Sequence, residues 1–312
     1  MTPKLPVQHH KREPRNNLRG SRTKIFSYTR RKRRRRIDWK RLLPTILLSA
    51  VFLYATMSLT LYLIRSAATK HTNKELLMLY EQASETPSPE SPASGPALVS
   101  APTPVPMTAQ EPTLRTDYQY IGDAVLPEAE ELLSRNPDMV AWLRIPGVVS
   151  LPVVYRNNSY YLDHDFYGNK NDSGTLFLDE AHPLLHDTQY MVVHGHNMHD
   201  GSMFGLLSHY RRRGHLEEHP KVYFNTIYQQ EEYEVIGVLL LPIDVQKEGY
   251  VPFTGTRKFR SQEQFRSFSE NIRQNALHWK NGAEMRPDDA FLALSTCYED
   301  SRIVVMCRRT RP

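Results

Sequence analysis

Residues 290–309 read Ala-Phe-Leu-Ala-Leu-Ser-Thr-Cys-Tyr-Glu-Asp-Ser-Arg-Ile-Val-Val-Met-Cys-Arg-Arg. An apolar run, Ala290–Thr296, ends beside Cys297. The polar stretch Tyr298-Glu-Asp-Ser301 comes next, and a second apolar run extends over Arg302–Arg308. Two strand-like runs joined by a short polar connection predict a β-hairpin. Pairing them puts Cys297 and Arg302 side by side at its mouth. A guanidinium there stabilises a thiolate, and later the negative oxygen of a tetrahedral intermediate. On spacing alone, a buried structural cysteine and a surface arginine fit the same residues.

Working outward from the hairpin, short strand-like runs recur at Val140–Ile145, Pro152–Tyr155, Gly174–Asp179, Tyr190–His194, Lys221–Ile227 and Tyr233–Leu241. Helices interrupt them. Pro127 opens one with acids in its first turn, and another is expected from Ser202 to Arg212. A third starts at Ser261, where Ser261 and Gln264 form a capping-box pattern. It carries Phe265, Phe268, Ile272, Ala276 and Trp279 at helical spacing, which predicts core packing. About eight short strands with few helices predict a mainly β fold, a closed or nearly closed barrel.

Between the strands lies Met191-Val-Val-His-Gly-His-Asn-Met-His-Asp-Gly-Ser-Met-Phe204. A strand ending in histidines presents an imidazole to a cleft, where its near-neutral pKa suits proton transfer. A zinc site of the H-x-H-x-D-H kind needs Asp at position 198, where Met198 stands. Neither a cysteine nor a second histidine pair at a recognised ligand spacing accompanies the cluster, so a catalytic metal is not expected.

The net charge of +6 over 312 residues is uneven. Residues 1–41 carry +14, which leaves −8 for the rest. A basic tail of this size suits nucleic acid by counterion release, but the neighbouring apolar segment decides otherwise. Leu42–Ile64 is free of charged residues and spans roughly 35 Å as a helix, enough for a bilayer core of about 30 Å. The run of basic residues before it predicts a cytoplasmic N-terminus and an extracytoplasmic remainder, with no nucleic-acid role. The run is too long for a cleaved leader and lacks a clear cleavage site, so it is expected to stay as the anchor. A short helix is expected over residues 73–84. From Thr86 to Pro112, eight prolines among Ser, Ala and Thr form a spacer. The expected divisions are a tail (1–41), an anchor (42–64), a spacer (65–116) and a globular domain (117–312).

Three separated stretches resemble class B sortases, over about residues 125–309. Tyr160-Tyr-Leu-Asp-His-Asp-Phe-Tyr-Gly-Asn169 with Gly174-Thr-Leu-Phe-Leu-Asp179 is similar to one family stretch. Gly195-His-Asn-Met with Asp200-Gly-Ser-Met-Phe204 is similar to a second. Leu294-Ser-Thr-Cys297, with Arg302 before Ile-Val-Val, is similar to the third. Asn136-Pro-Asp and Trp142-Leu-Arg-Ile-Pro-Gly147 agree with the family's early run. The resemblance implies an eight-stranded sortase-type barrel with peripheral helices. It implies a catalytic set of Cys297 as nucleophile, His196 as general acid/base and Arg302 as oxyanion stabiliser, with Ser295, Thr296, His194 and Asn197 as substrate-binding neighbours.

The implied reaction is cleavage of a sorting motif near the C-terminus of surface proteins, after Thr, with acyl transfer to a peptidoglycan amine. Three features depart from the family pattern: His194 stands where Tyr is usual, Ala293 replaces a Thr, and the turn from Cys297 to Arg302 is short. Two other readings fit the residues less well. An L,D-transpeptidase-like cysteine enzyme lacks its S-H-G-C-[IV]-R type motif here, and a catalytically silent scaffold is disfavoured by the intact Cys, His and Arg. The two cysteines are expected as free thiols. In the hairpin, Cys307 lies about 16 Å along the strand from Arg302, and a disulfide needs Cα atoms about 4.4–6.8 Å apart.

Overall fold

The computed structural model describes residues 39–85, 124–182, 188–255 and 258–310. The basic tail up to residue 38 and the Pro-rich spacer from residue 86 lie outside the described residues. The chain divides into two compact units, 1–55 and 56–312. In the first, helix α1 (Trp39–Glu85) begins. It is long and apolar enough to cross a membrane, and its Leu43, Leu47, Leu48, Phe52 and Leu53 side chains are exposed. The helix expected over 73–84 is the last part of this longer one.

In the second unit, helix α2 (Pro127–Arg135) precedes strands β1 (Met139–Ile145), β2 (Val149–Val154), β3 (Leu176–Leu178) and β4 (Tyr190–His194). Next come helix α3 (Arg213–Glu218), strands β5 (Lys221–Thr226) and β6 (Glu232–Pro242), helix α4 (Gln262–Gln274) and strands β7 (Ala276–Trp279), β8 (Phe291–Tyr298) and β9 (Ser301–Arg309). The sheet order is β5-β1-β2-β3-β4-β8-β9-β6-β7, and β5 also pairs with β6. That last pairing closes eight strands into a barrel and leaves β7 as an added strand beside β6. Closure removes the open edges that would otherwise pair with other chains.

Alternation along the strands divides the side chains between two faces. Met191, Val193, Leu292, Leu294, Ile303, Val305 and Cys307 point into the barrel. Tyr190, Val192, Phe291, Ala293, Val304 and Met306 point outward, under α4 and the segment holding Val251 and Phe253. A second outer layer covers β1–β3. There Leu76 of α1 and Leu132 of α2 are fully buried with Met139, Trp142 and Phe177, and Tyr80 stacks on Trp142 at 4.3 Å. Among the described residues, Cys297 at the end of β8 is exposed.

The hairpin forms as expected, with Glu299-Asp300 as its two-residue turn and Glu299 at φ 51°. Two expected helices differ. The helix expected from Ser202 to Arg212 is shorter, a 3-10 helix over residues 205–211. Phe204, Leu207 and Tyr210 are all fully buried, and a spacing of three suits the 3-10 repeat. Its start is also tight: a side-chain carbon on Gly205 would overlap the Met198 carbonyl. Helix α4 starts at the Ser261 cap, whose Oγ accepts the Gln264 N–H at 3.1 Å. It stops at Gln274, so Ala276 and Trp279 belong to β7. The Asn275 amide binds the Asn271 carbonyl at 2.9 Å, and Trp279 packs over Gly237 of β6, where no other residue would leave room.

Candidate active site

β4 and β8 run parallel, with Val193 beside Leu294 and His194 beside Ser295. Carrying that register two residues onward sets His196 beside Cys297. The register is held past the end of β4, because Gly195 N–H donates to the Ser295 carbonyl at 3.2 Å. The Thr296 hydroxyl also donates to the Gly195 carbonyl at 2.8 Å. Only glycine fits there, since a Cβ would overlap Leu176 and Phe204. β8 and β9 are antiparallel, and Cys297 pairs with Arg302. Cys297 and Arg302 are therefore paired across β8 and β9, and His196 lies two residues past the end of β4, on the strand next to β8. Paired Cα atoms in an antiparallel ladder such as Cys297–Arg302 lie about 4.5–5.5 Å apart.

Cys297 is exposed, whereas Cys307, in the barrel interior, is fully buried; both are free thiols. Burial raises the Cys307 thiol far above its ordinary pKa, which leaves it inert as a nucleophile. The His196 ring donates Nε2–H to the Leu162 carbonyl at 2.7 Å. A carbonyl only accepts, so Nδ1 is the ring's proton-accepting atom. Leu162 is held in turn by its motif: Tyr161 O–H donates to Asp138 at 2.9 Å, and Asn136 Nδ2 donates to the Phe166 carbonyl at 2.8 Å. The Asn136-Pro-Asp and Tyr160-Tyr-Leu stretches thus work together to place one backbone oxygen behind His196.

The four expected substrate neighbours fall in different places. His194 and Ser295 pair with each other two residues before His196 and Cys297, on the same face. Ser295 is buried, and its Oγ has no hydrogen-bond partner among the described residues. Thr296 points the other way and its hydroxyl is engaged with Gly195. Asn197 forms an isolated bridge with Met203, whose φ is 50°. His199 is exposed.

Two residues of the site escaped the sequence reading. Asp179 Oδ2 lies 2.9 Å from His194 Nε2 and both are largely buried. Burial raises the Asp179 pKa, but the hydrogen bond from His194, the Ala181 N–H and the nearby His194 and His182 charges outweigh it and hold the carboxyl below its ordinary value. The register of β3 on β4, with Phe177 beside His194, is the signal that would have found the pair. The second is Arg211, whose guanidinium sits 4.0 Å over the Tyr298 ring at the turn after Cys297; only the three-dimensional path of the 3-10 segment brings it there.

Over 192 residues the chain is 27% identical to sortase B of Listeria monocytogenes, a match covering 59% of this chain and 75% of that protein. The chain is similar to class B sortases. No family model matches it. Its fold is similar to that of Bacillus anthracis sortase B solved in complex with AAEK1, with a TM-score of 0.60 at 20% identity, covering 80% of this chain and 99% of that one. The Staphylococcus aureus sortase B–substrate complex is similar at a TM-score of 0.53 and 22% identity, covering 60% of this chain and 86% of that one. The similarity to curated sortase B proteins supports a sortase-type cysteine transpeptidase.

Proposed function

We propose that this sortase cleaves a sorting motif of surface proteins after Thr and transfers the acyl group to a peptidoglycan amine. The observation that supports the reading is the exposed Cys297 paired with Arg302 across β8 and β9, with His196 just past the end of neighbouring β4. The Cys297 thiolate attacks the Thr carbonyl carbon. Arg302 and nearby backbone N–H groups stabilise the oxyanion. The C–N bond breaks as His196 gives its proton to the leaving amine, and a thioester remains on Cys297. The acceptor amine then attacks that carbonyl, His196 takes its proton, and the thiolate leaves. His194 and Asn197 stand beside these residues as substrate neighbours, buried Ser295 supports them from below, and Thr296 positions the Gly195 turn. No metal or organic cofactor enters these steps.

The charge step across Leu42–Ile64 supports a single-pass anchor with the tail (1–41) cytoplasmic and the catalytic domain (117–312) outside. Within the connection (65–116), the helical part to residue 85 is held on the barrel. Thr69 is buried and its hydroxyl lies 3.3 Å from Ser173 Oγ. The Pro-rich remainder acts as the tether. A screen of N-P-x-T-[NGS] type peptides with an added amine tests the reading. Products ending at Thr joined to the amine are expected. Cleavage of none of them, or joining that starts from a peptidoglycan stem peptide, would favour the L,D-transpeptidase-like alternative.

A further inference from the structure

Away from the catalytic residues, three histidines converge where the 3-10 helix passes into α3. The His215 ring centroid lies 5.5 Å from that of His209 and 4.4 Å from that of His219. His215 is 8% exposed. Its Nε2 is buried with no hydrogen-bond partner among the described residues. A buried polar nitrogen left in this way is costly unless something binds it.

His215, Glu218 and His219 stand at i, i+3 and i+4, a spacing that gathers side chains on one helical face. Each offers a ligand atom, and the three atoms lie within 4.8 Å of one another. The His219 ring donates Nδ1–H to the Pro146 carbonyl at 2.9 Å. That bond fixes the tautomer and leaves Nε2 with its lone pair, as the outer partners of metal-bound histidines do. Zinc with ligands at about 2.0–2.2 Å needs them about 3.3 Å apart. The Glu218 carboxylate, 71% exposed, lies 4.0 Å from His215 Nδ1, so a small inward shift of an exposed side chain is what closing the gap requires. Two imidazoles and one carboxylate suit zinc and its neighbours over calcium or magnesium.

We propose that His215, Glu218 and His219 bind a divalent transition-metal ion, zinc foremost, with water as the fourth ligand. The site is structural. Through His219 it joins the end of α3 to the Pro146 turn between β1 and β2. Through Tyr210, whose ring lies 4.7 Å from His215 and whose hydroxyl donates to the His219 carbonyl at 2.7 Å, it steadies the segment that carries Arg211 to the active-site turn.

The test uses the full chain in detergent, free of any histidine tag and stripped of metal, in a Cys297→Ala background so that the active-site thiol contributes no zinc ligand. Titration with Zn²⁺ against a chromophoric chelator is expected to show one ion per chain and a raised Tm. His215→Ala should abolish the binding, and Glu218→Gln, at an exposed position that leaves the fold intact, should weaken it by at least about tenfold. No stoichiometric binding, or zinc affinity unchanged in Glu218→Gln, overturns the proposal, whether or not His215→Ala folds. Because zinc binding is read without turnover, its failure leaves the transpeptidase reading untouched, and failure of peptide cleavage leaves the zinc site untouched.

Discussion

Arg302 faces Cys297 across a ladder pair, so its shape matters as well as its charge. Lysine keeps the charge but loses the planar fork of donors. Arg302→Lys is expected to lower kcat by about 100–1,000-fold, the usual cost of an oxyanion donor, with a smaller change in KM; steady-state kinetics on a cleaved peptide checks this. His196→Ala should leave Cys297 open to alkylation yet stop turnover, because the leaving amine then has no acid. His194 is a different case. Its Nε2 is engaged with Asp179, two residues before His196, so His194→Tyr should stay active with an altered pH–rate profile. The pair also has a stability signature. Asp179 is held below its ordinary value, so its contribution is present above about pH 4 and fades as pH falls through the lowered folded value. Asp179→Asn should remove that part of the acid dependence of unfolding and cost about 1–3 kcal/mol at neutral pH.

At the scale of elements, the docking of α1 on the barrel carries the clearest energetic expectation. Leu76 is fully buried among Leu132, Trp142 and Phe177, so Leu76→Ala should cost about 2–5 kcal/mol, read as a lower denaturation midpoint. Asp200 ties the loop after His196 to the same helix through Ser66 and Lys70. Burial works against its ionised form, but Ser202, Ser66 and Lys70 outweigh it and hold the carboxyl at about 2. The tie should persist well below the ordinary carboxylate range and be lost as pH falls toward 2. The eight barrel strands and the hairpin were legible in the sequence because β-rich runs ended in clear turn residues. The helix expected from Ser202 to Arg212 is present as a 3-10 helix, whose type the sequence leaves open because Phe204, Leu207 and Tyr210 fit either repeat over so short a stretch. β7 was hidden because Ala276 and Trp279 continue the apolar spacing of α4, and only pairing with β6 pulls them out of it. The docking of α1 was hidden too, since its partners Asp172, Ser173 and Asp200 lie more than a hundred residues away. The three catalytic candidates were legible as motifs, but not the Asp179 and Leu162 contacts, which depend on register and on a folded loop.

For the whole molecule, the charge step and the apolar helix carry the expectation of sidedness. Protease added to intact cells should release a fragment starting within residues 86–112 and leave the basic tail protected, as immunoblotting of the two ends would show; degradation of the tail in intact cells would contradict it. The central claim is that the set of His196, Cys297 and Arg302, carried by β8, β9 and the end of β4, carries out acyl transfer through Cys297. The most direct measurement is the intact mass of the protein quenched during turnover of a sorting-motif peptide, together with mapping of the modified residue. The account predicts a thioester on Cys297 with the mass of the peptide through its Thr, absent in Cys297→Ala and discharged by an added amine. Continued cleavage by Cys297→Ala, or an adduct mapped to any other residue, would contradict it.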